Sequence, residues 1–252
     1  MKILTFANHK GGVGKTTTVA NLGYALAHNH KKKILMIDMD PQTNLTTHYG
    51  IYARPDITMY EVLRGSSPLH DAIQELSPTF HIVPSSLDVT NTESELQGVT
   101  GREFILREAL ESISGYDAVL IDTPPSLGIL TVNSFTASTD ICIVVQTEFF
   151  ALQGLAKLYE IISIVQKRTN PQLTISGVIP TMFDRRKGMH LEALQALEAR
   201  FKKELFDIQI TEAIALVEAA SAGKSIFEYK PGSKAAEQYD DLAKMIVKRI
   251  LR

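Results

Sequence analysis

The residues best suited to chemistry sit near the N-terminus, in the stretch FANHKGGVGKTTT from Phe6 to Thr18. Gly11, Gly12 and Gly14 precede Lys15 and Thr16, with an apolar run (Ile3, Leu4, Phe6, Ala7) before them and a helical pattern after them. Glycine has no Cβ, so the backbone can curl until consecutive N–H groups point into one concavity at the positive end of a helix. A cradle running from Gly11 through Val13 to Thr17 suits a polyphosphate. In it Lys15 is placed to reach β- and γ-phosphates, and the Thr16 hydroxyl to hold Mg²⁺. The usual spacing GxxxxGK[ST] would put its first glycine at His9, so the loop deviates from it. A second lysine, Lys10, stands directly before the glycines instead.

Two further stretches place carboxylates at the ends of apolar runs. Ile34, Leu35, Met36 and Ile37 lead into Asp38, followed by Met39, Asp40, Pro41, Gln42, Thr43 and Asn44. Ala118, Val119, Leu120 and Ile121 lead into Asp122, then Thr123, Pro124 and Pro125. Open α/β sheets bind ligands outside the carboxyl ends of their strands. Asp38 and Asp40 are therefore expected to face the metal and phosphates, Asp38 nearer the metal; the alternative is that both cap the following turn. Asp122 has the Walker B arrangement and is expected to hold Mg²⁺ or one of its waters. No glutamate follows it, so the usual base is missing and slow hydrolysis is expected.

The elements that must position these groups follow from periodicity. A helix is predicted from Lys15 to about His28, with Val19, Leu22, Ala25 and Leu26 on one face. The short continuous apolar runs read as parallel strands buried on both faces. Short helices are predicted around Thr58 to Leu63 and Pro68 to Leu76, a strand at Phe80 to Val83, and helices from Phe104 to Ile113 and after Leu155. Ile141 to Val145 and Ile175 to Ile179 supply further strands. The expected fold is α/β: a single P-loop domain over residues 1–252, with a mostly parallel twisted sheet flanked by helices on both faces. The 252 residues, 44% of them hydrophobic, can bury the core this needs. Twenty-six basic residues against 28 acidic ones exclude a global field that recruits nucleic acid or membrane, so any such binding must be local. One cysteine, Cys142 in an apolar run, argues for a reducing compartment and against an iron–sulfur centre. No secretory signal is visible and no apolar run reaches about 18 residues, so a cytoplasmic protein is expected.

KGGVGKTT, with its extra lysine, resembles the phosphate loop of the ParA/MinD group of ATPases. DMDPQTN is similar to that group's first switch and DTPPS to its second. QTEFFALQGL and the closing stretch from Gly223 to Ile246 extend the likeness over nearly the whole chain, in the compact, Soj-like form without an N-terminal helix-turn-helix. The resemblance implies ATP and Mg²⁺ as cofactors and Asp40 as the group that positions the attacking water. Met182 at a strand end, and Tyr229 and Pro231, are expected to surround the nucleotide. An ATP-bound homodimer is implied, in which Lys10 reaches the partner's phosphates, together with a ParB-like protein that stimulates hydrolysis and a role in chromosome or plasmid partition.

Non-specific duplex DNA is the implied track, contacted through Arg185, Arg186 and Lys187, with nucleoid association to match. However, Glu212 and Ala215 stand where similar chains carry arginines, a loss of about three charges per subunit that weakens phosphate binding. Lys202, Lys203, Lys244, Lys248, Arg249 and Arg252 either compensate or are solvated helix faces. Phe149 and Phe150 are open to base stacking or to core and dimer packing. The basic amphipathic C-terminal helix, with Leu242, Met245, Ile246 and Ile250, is open to core packing or to lying on an acidic bilayer, as MinD-like tails do. Core packing is the expectation and membrane attachment is not. The alternative function is a MinD-like or cargo-positioning ATPase that acts on membrane or a protein scaffold. A metabolic kinase or synthetase is disfavoured, because Lys10 and the DMDPQ stretch suit a dimer switch better.

Overall fold

The apolar runs form one seven-stranded sheet in the computed structural model, which describes residues 1–148 and 154–251. Its strands are β1 (Lys2–Ala7), β2 (Ile34–Asp38), β3 (Gln74–Ser77), β4 (Phe80–Val83), β5 (Ala118–Asp122), β6 (Asp140–Gln146) and β7 (Thr174–Thr181). They lie in the order β3-β4-β2-β5-β1-β6-β7, all parallel except the edge pair β3 and β4. Every residue of β2 and β5 is buried, as their unbroken apolar runs require.

Alternation along the strands divides the core. Leu4, Ile34, Met36, Leu120 and Val144 point to one face, where α1 (Lys15–Tyr24) packs. Leu35, Ile37, Val119 and Ile121 point to the other. That second face is covered over β2 and β5 by α3 (Met59–Leu63), α5 (Ile105–Glu111) and α6 (Ile129–Ala137). Over β6 and β7 it is covered by α7 (Leu155–Arg168) and α8 (Gly188–Phe201). Between these come the short α2 (Asn44–His48) and α4 (Thr92–Glu95). The first face is completed by α9 (Ile214–Ser221), α10 (Ile226–Tyr229) and α11 (Lys234–Arg249).

Two predicted elements differ. The helix expected from Lys15 to His28 is α-helical only to Tyr24 and continues as a π turn over Ala25–Asn29. The helix expected at Pro68 to Leu76 is a 3₁₀ turn, Leu69–Ala72, followed by β3. Pairing with β4 satisfies the backbone of β3 and overrides its local preference.

The C-terminal helix is core. Tyr239, Leu242 and Ile246 of α11 are fully or almost fully buried, and Ile250 just beyond it is 4% exposed. Its apolar side therefore faces the sheet and not a bilayer. No helix among the described residues is long and apolar enough to cross a membrane. Cys142 is completely buried on β6, where burial pushes its thiol pKa far up. Phe149, Phe150 and Arg252 lie outside the described residues.

Candidate functional site

β1 ends between β5 and β6, and the glycine loop emerges there at the carboxyl edge of the sheet. Asn8 fixes its start: its amide donates to the Val144 carbonyl at 2.6 Å and its oxygen accepts the Lys10 N–H at 2.9 Å. Gly12 and Gly14 take φ of 73° and 89°, which a side chain would strain, and Gly14 leads directly into α1. The Thr181 hydroxyl at the end of β7 donates to the Val13 carbonyl at 2.7 Å and pins the middle of the loop.

The loop borders a cavity of about 700 Å³. At one end lie Gly11, Gly12, Gly14, Lys15, Thr16 and Thr17, with Asp40 and Pro125 facing them. At the other lie Met182, Ile210, Thr211, Ala213 and Leu216. Met182 has φ of 53°, an unusual conformation for a residue with a side chain and one that clusters at functional sites.

Lys15 is 6% exposed, and its ammonium donates to the Asn8 carbonyl at 3.2 Å. Burial lowers its pKa, while Asp122 and Asp40 pull it back up. Asp122 is fully buried and neither carboxylate oxygen has a hydrogen-bond partner among the described residues. Burial first and Asp38 second raise its pKa well above the ordinary value; the nearby Thr16 hydroxyl and Lys15 oppose this. An orphaned buried carboxylate beside a threonine hydroxyl and a phosphate cradle fits a cation. No group of three or more His, Cys, Asp or Glu among the described residues could hold a metal alone.

Asp38 is hydrogen-bonded where Asp122, among the described residues, is not. Its oxygens accept the Asp40 N–H at 3.0 Å, the Thr46 N–H at 2.9 Å and the Thr46 hydroxyl at 2.7 Å. Burial pushes its pKa to about 6 against these bonds. The carboxylate ties down residues 38–46 through these bonds, whereas Asp122 makes none among the described residues. Asp40 is 6% exposed, and it accepts the Gln42 N–H at 2.9 Å while lining the cavity.

Other expected residues separate. Val13 points into the core and does not line the cavity; its carbonyl, not its side chain, serves the loop. Tyr229 and Pro231 also fall outside the lining, because the Tyr229 hydroxyl turns towards Glu218 at 3.3 Å and Pro231 sits in the exposed turn before α11. The wall there comes from Leu216, Val217, Ala220 and Ser221 of α9 and from Tyr239. Lys10 also lies outside the lining: it is exposed and pairs with Glu148 at 2.5 Å. Arg185, Arg186 and Lys187 are exposed in the loop after β7, with Arg186 paired to Asp184 at 2.8 Å.

Residues 1–175 match the AAA domain family. The sporulation initiation inhibitor protein Soj of Bacillus subtilis is 39% identical over 97% of this chain and 98% of its own. The chain belongs to the ParA/Soj family of partition ATPases. The chromosome partitioning protein ParA of Caulobacter vibrioides is also 39% identical, across 99% of this chain and 95% of its own. A solved structure from Mycobacterium smegmatis, described as cobyrinic acid a,c-diamide synthase with bound ATP analog and magnesium, has a TM-score of 0.85 at 32% identity, covering 100% and 97% of the two chains.

In this ParA/Soj-family chain several site residues carry no motif that marks them. Asn8, Thr46 and Thr181 act through bonds to distant or buried groups. His48 lines the cavity with a buried Nε2 that has no partner among the described residues, and burial lowers its pKa to about 4, so its ring is neutral. Its place just after the DMDPQTN stretch is the one sequence signal that could have flagged it.

Proposed function

We propose that the cavity binds ATP and Mg²⁺ and that its hydrolysis times a monomer–dimer switch used in DNA partition. Buried, unpartnered Asp122 next to Lys15 and the glycine loop is the observation that supports this most. Backbone N–H groups from Gly11 to Thr17 cradle the phosphates and Lys15 neutralises the β- and γ-oxygens. Thr16 and Asp122 hold the metal, with Asp38 behind them as the anchor of the loop. Mg²⁺, when bound, offsets phosphate charge as a Lewis acid. Asp40 positions the attacking water; with no glutamate after Asp122, turnover is slow.

Lys10 is exposed and on the rim, so it can leave Glu148 and reach a second subunit's phosphates. Dimerisation and catalysis then become one event, which a ParB-like partner accelerates. Arg185, Arg186 and Lys187 contact duplex DNA without sequence preference. All 252 residues act as one domain, since α9 and α11 close the cavity that the loop opens. A second reading, positioning on a protein scaffold, is favoured by α9 itself: Ile214 and Val217 are 78% and 69% exposed beside Glu212 and Glu218, a face that repels phosphate.

The deciding experiment measures ATP hydrolysis, ATP-dependent dimerisation and binding to random-sequence duplex DNA for the native chain, Asp40→Ala and Lys15→Ala. The expected result is that Asp40→Ala binds ATP and dimerises without turnover, while Lys15→Ala does neither. Full turnover by Asp40→Ala would reject the assigned role. Dimerisation without DNA binding at low salt would favour the scaffold reading.

A further inference from the structure

Thr46 is 2% exposed and does not line the nucleotide cavity, although Asn44, Thr47 and His48 on either side of it do. Its hydroxyl instead makes two buried bonds. It donates to Asp38 Oδ2 at 2.7 Å and accepts the Ser85 N–H at 2.9 Å, while the Thr46 N–H donates to the same Asp38 oxygen at 2.9 Å. Asp38 Oδ1 accepts the Asp40 N–H at 3.0 Å. One buried carboxylate thus grips the loop at residue 40 and at residue 46, and the threonine hydroxyl ties that grip to the segment after β4.

Between the two grips the loop is held by local bonds, among them one from the Thr47 hydroxyl to the Thr43 carbonyl at 3.0 Å. It turns at Thr43, whose φ of 56° is left-handed, and the Thr43 N–H returns to the Asp40 carbonyl at 2.9 Å. Asp40 itself is held at its backbone by Asp38 and points its carboxylate to the Gln42 N–H. The direction in which Asp40 faces therefore depends on how firmly Asp38 is oriented. A hydroxyl is suited to that task because it donates and accepts at once, whereas valine of the same shape does neither.

We propose that Thr46 is a positioning residue for hydrolysis: through Asp38 it sets the placement of Asp40 relative to the nucleotide, and through Ser85 it couples that placement to residues 84–86. The proposal rests on Asp40 as the group that positions water. From Ser85 the contact continues outward, since the Ser86 hydroxyl meets Thr58 at 3.1 Å and Thr58 meets Glu61 at 2.8 Å. Loosening the grip misplaces Asp40 and slows the chemical step, and it leaves the phosphate cradle and the far end of the cavity untouched.

The test compares steady-state ATP hydrolysis and ATP binding for the native chain, Thr46→Val, Thr46→Ser and Asp40→Ala, each checked for its melting temperature. Thr46→Val is expected to lower kcat about ten-fold or more with ATP affinity unchanged within about two-fold, and Thr46→Ser to restore native kcat. Native kcat in Thr46→Val, or a loss of ATP affinity equal to the loss of kcat, overturns the proposal. If Thr46→Val melts too low to assay, Thr46→Ala takes its place, and a Thr46→Ser kcat as low as that of Thr46→Ala overturns the proposal as well. Asp40→Ala separates the two readings: inactive Asp40→Ala with native Thr46→Val refutes only the role of Thr46, while active Asp40→Ala refutes the underlying assignment.

Discussion

Asp38 and Asp122 are register partners at the carboxyl ends of the neighbouring parallel strands β2 and β5, both completely buried, so two like charges face each other beside the phosphate cradle. Asp38 is relieved by three hydrogen bonds and Asp122 by none among the described residues. Both are acids whose folded values lie above the ordinary 3.8, Asp38 at about 6 and Asp122 well above. The folded state therefore binds more protons than the unfolded one, and the pair's contribution to stability falls as pH rises from about 4 through about 6 and beyond.

Asp122→Asn removes one of the two charges. Without nucleotide it is expected to be more stable than the native chain by about 1–3 kcal/mol at pH 8, with the difference shrinking towards pH 5. Thermal unfolding followed across that range checks this. A variant no more stable at pH 8 would show that burying this carboxylate beside Asp38 carries no cost. The same variant should lose the extra stabilisation that Mg²⁺ adds to ATP.

Lys10 and Glu148 are 53% and 45% exposed, and such a pair contributes little to folding. Lys10→Ala should leave the melting temperature within about 2 °C of native, as expected for a surface change below about 0.5 kcal/mol. If Lys10 crosses to a second subunit, it should nevertheless abolish the ATP-dependent dimer seen by light scattering. A dimer of native affinity would exclude that role.

The DNA question turns on α9. Replacing both Glu212→Arg and Ala215→Arg should raise affinity for random duplex DNA and steepen the dependence of log K on log salt by about two. Arg186→Ala should weaken binding and flatten the slope by about one. Filter binding over a salt series reads both. Two of the C-terminal cations are poor substitutes: Lys244 pairs with Asp240 and Asp241, each at 2.9 Å, and Arg249 donates to the Glu204 carbonyl and lies 4.3 Å over the Phe206 ring.

Ile246 on α11 is completely buried, in the core cluster that α11 shares with α1. Ile246→Ala should therefore cost about 2–4 kcal/mol in urea unfolding. Vesicle affinity should be negligible for both native and variant chains. A near-neutral effect on stability would reopen the bilayer as the destination of this face.

The phosphate loop, the Asp38–Asp40 pair, Asp122 and the buried parallel strands could all be read from contiguous residues. Each rests on a local requirement: left-handed backbone at Gly12 and Gly14, a carboxylate at a strand end, an unbroken apolar run. Such requirements are written in neighbouring positions, so they survive without knowledge of the fold. The tertiary structure alone decided which carboxylate is free. Thr46, itself held by Ser85, and the Asp40 N–H engage Asp38, while Asp122 has no partner among the described residues, and nothing in either strand announces this. It also decided the far wall of the cavity, where α9 and Tyr239 replace Tyr229 and Pro231, and it made residues 74–77 an edge strand. These outcomes depend on which surfaces must be buried together and which polar groups find partners across some 40 to 220 positions of chain, as the bonds from Ser85 to Thr46 and Tyr239 to Thr18 do.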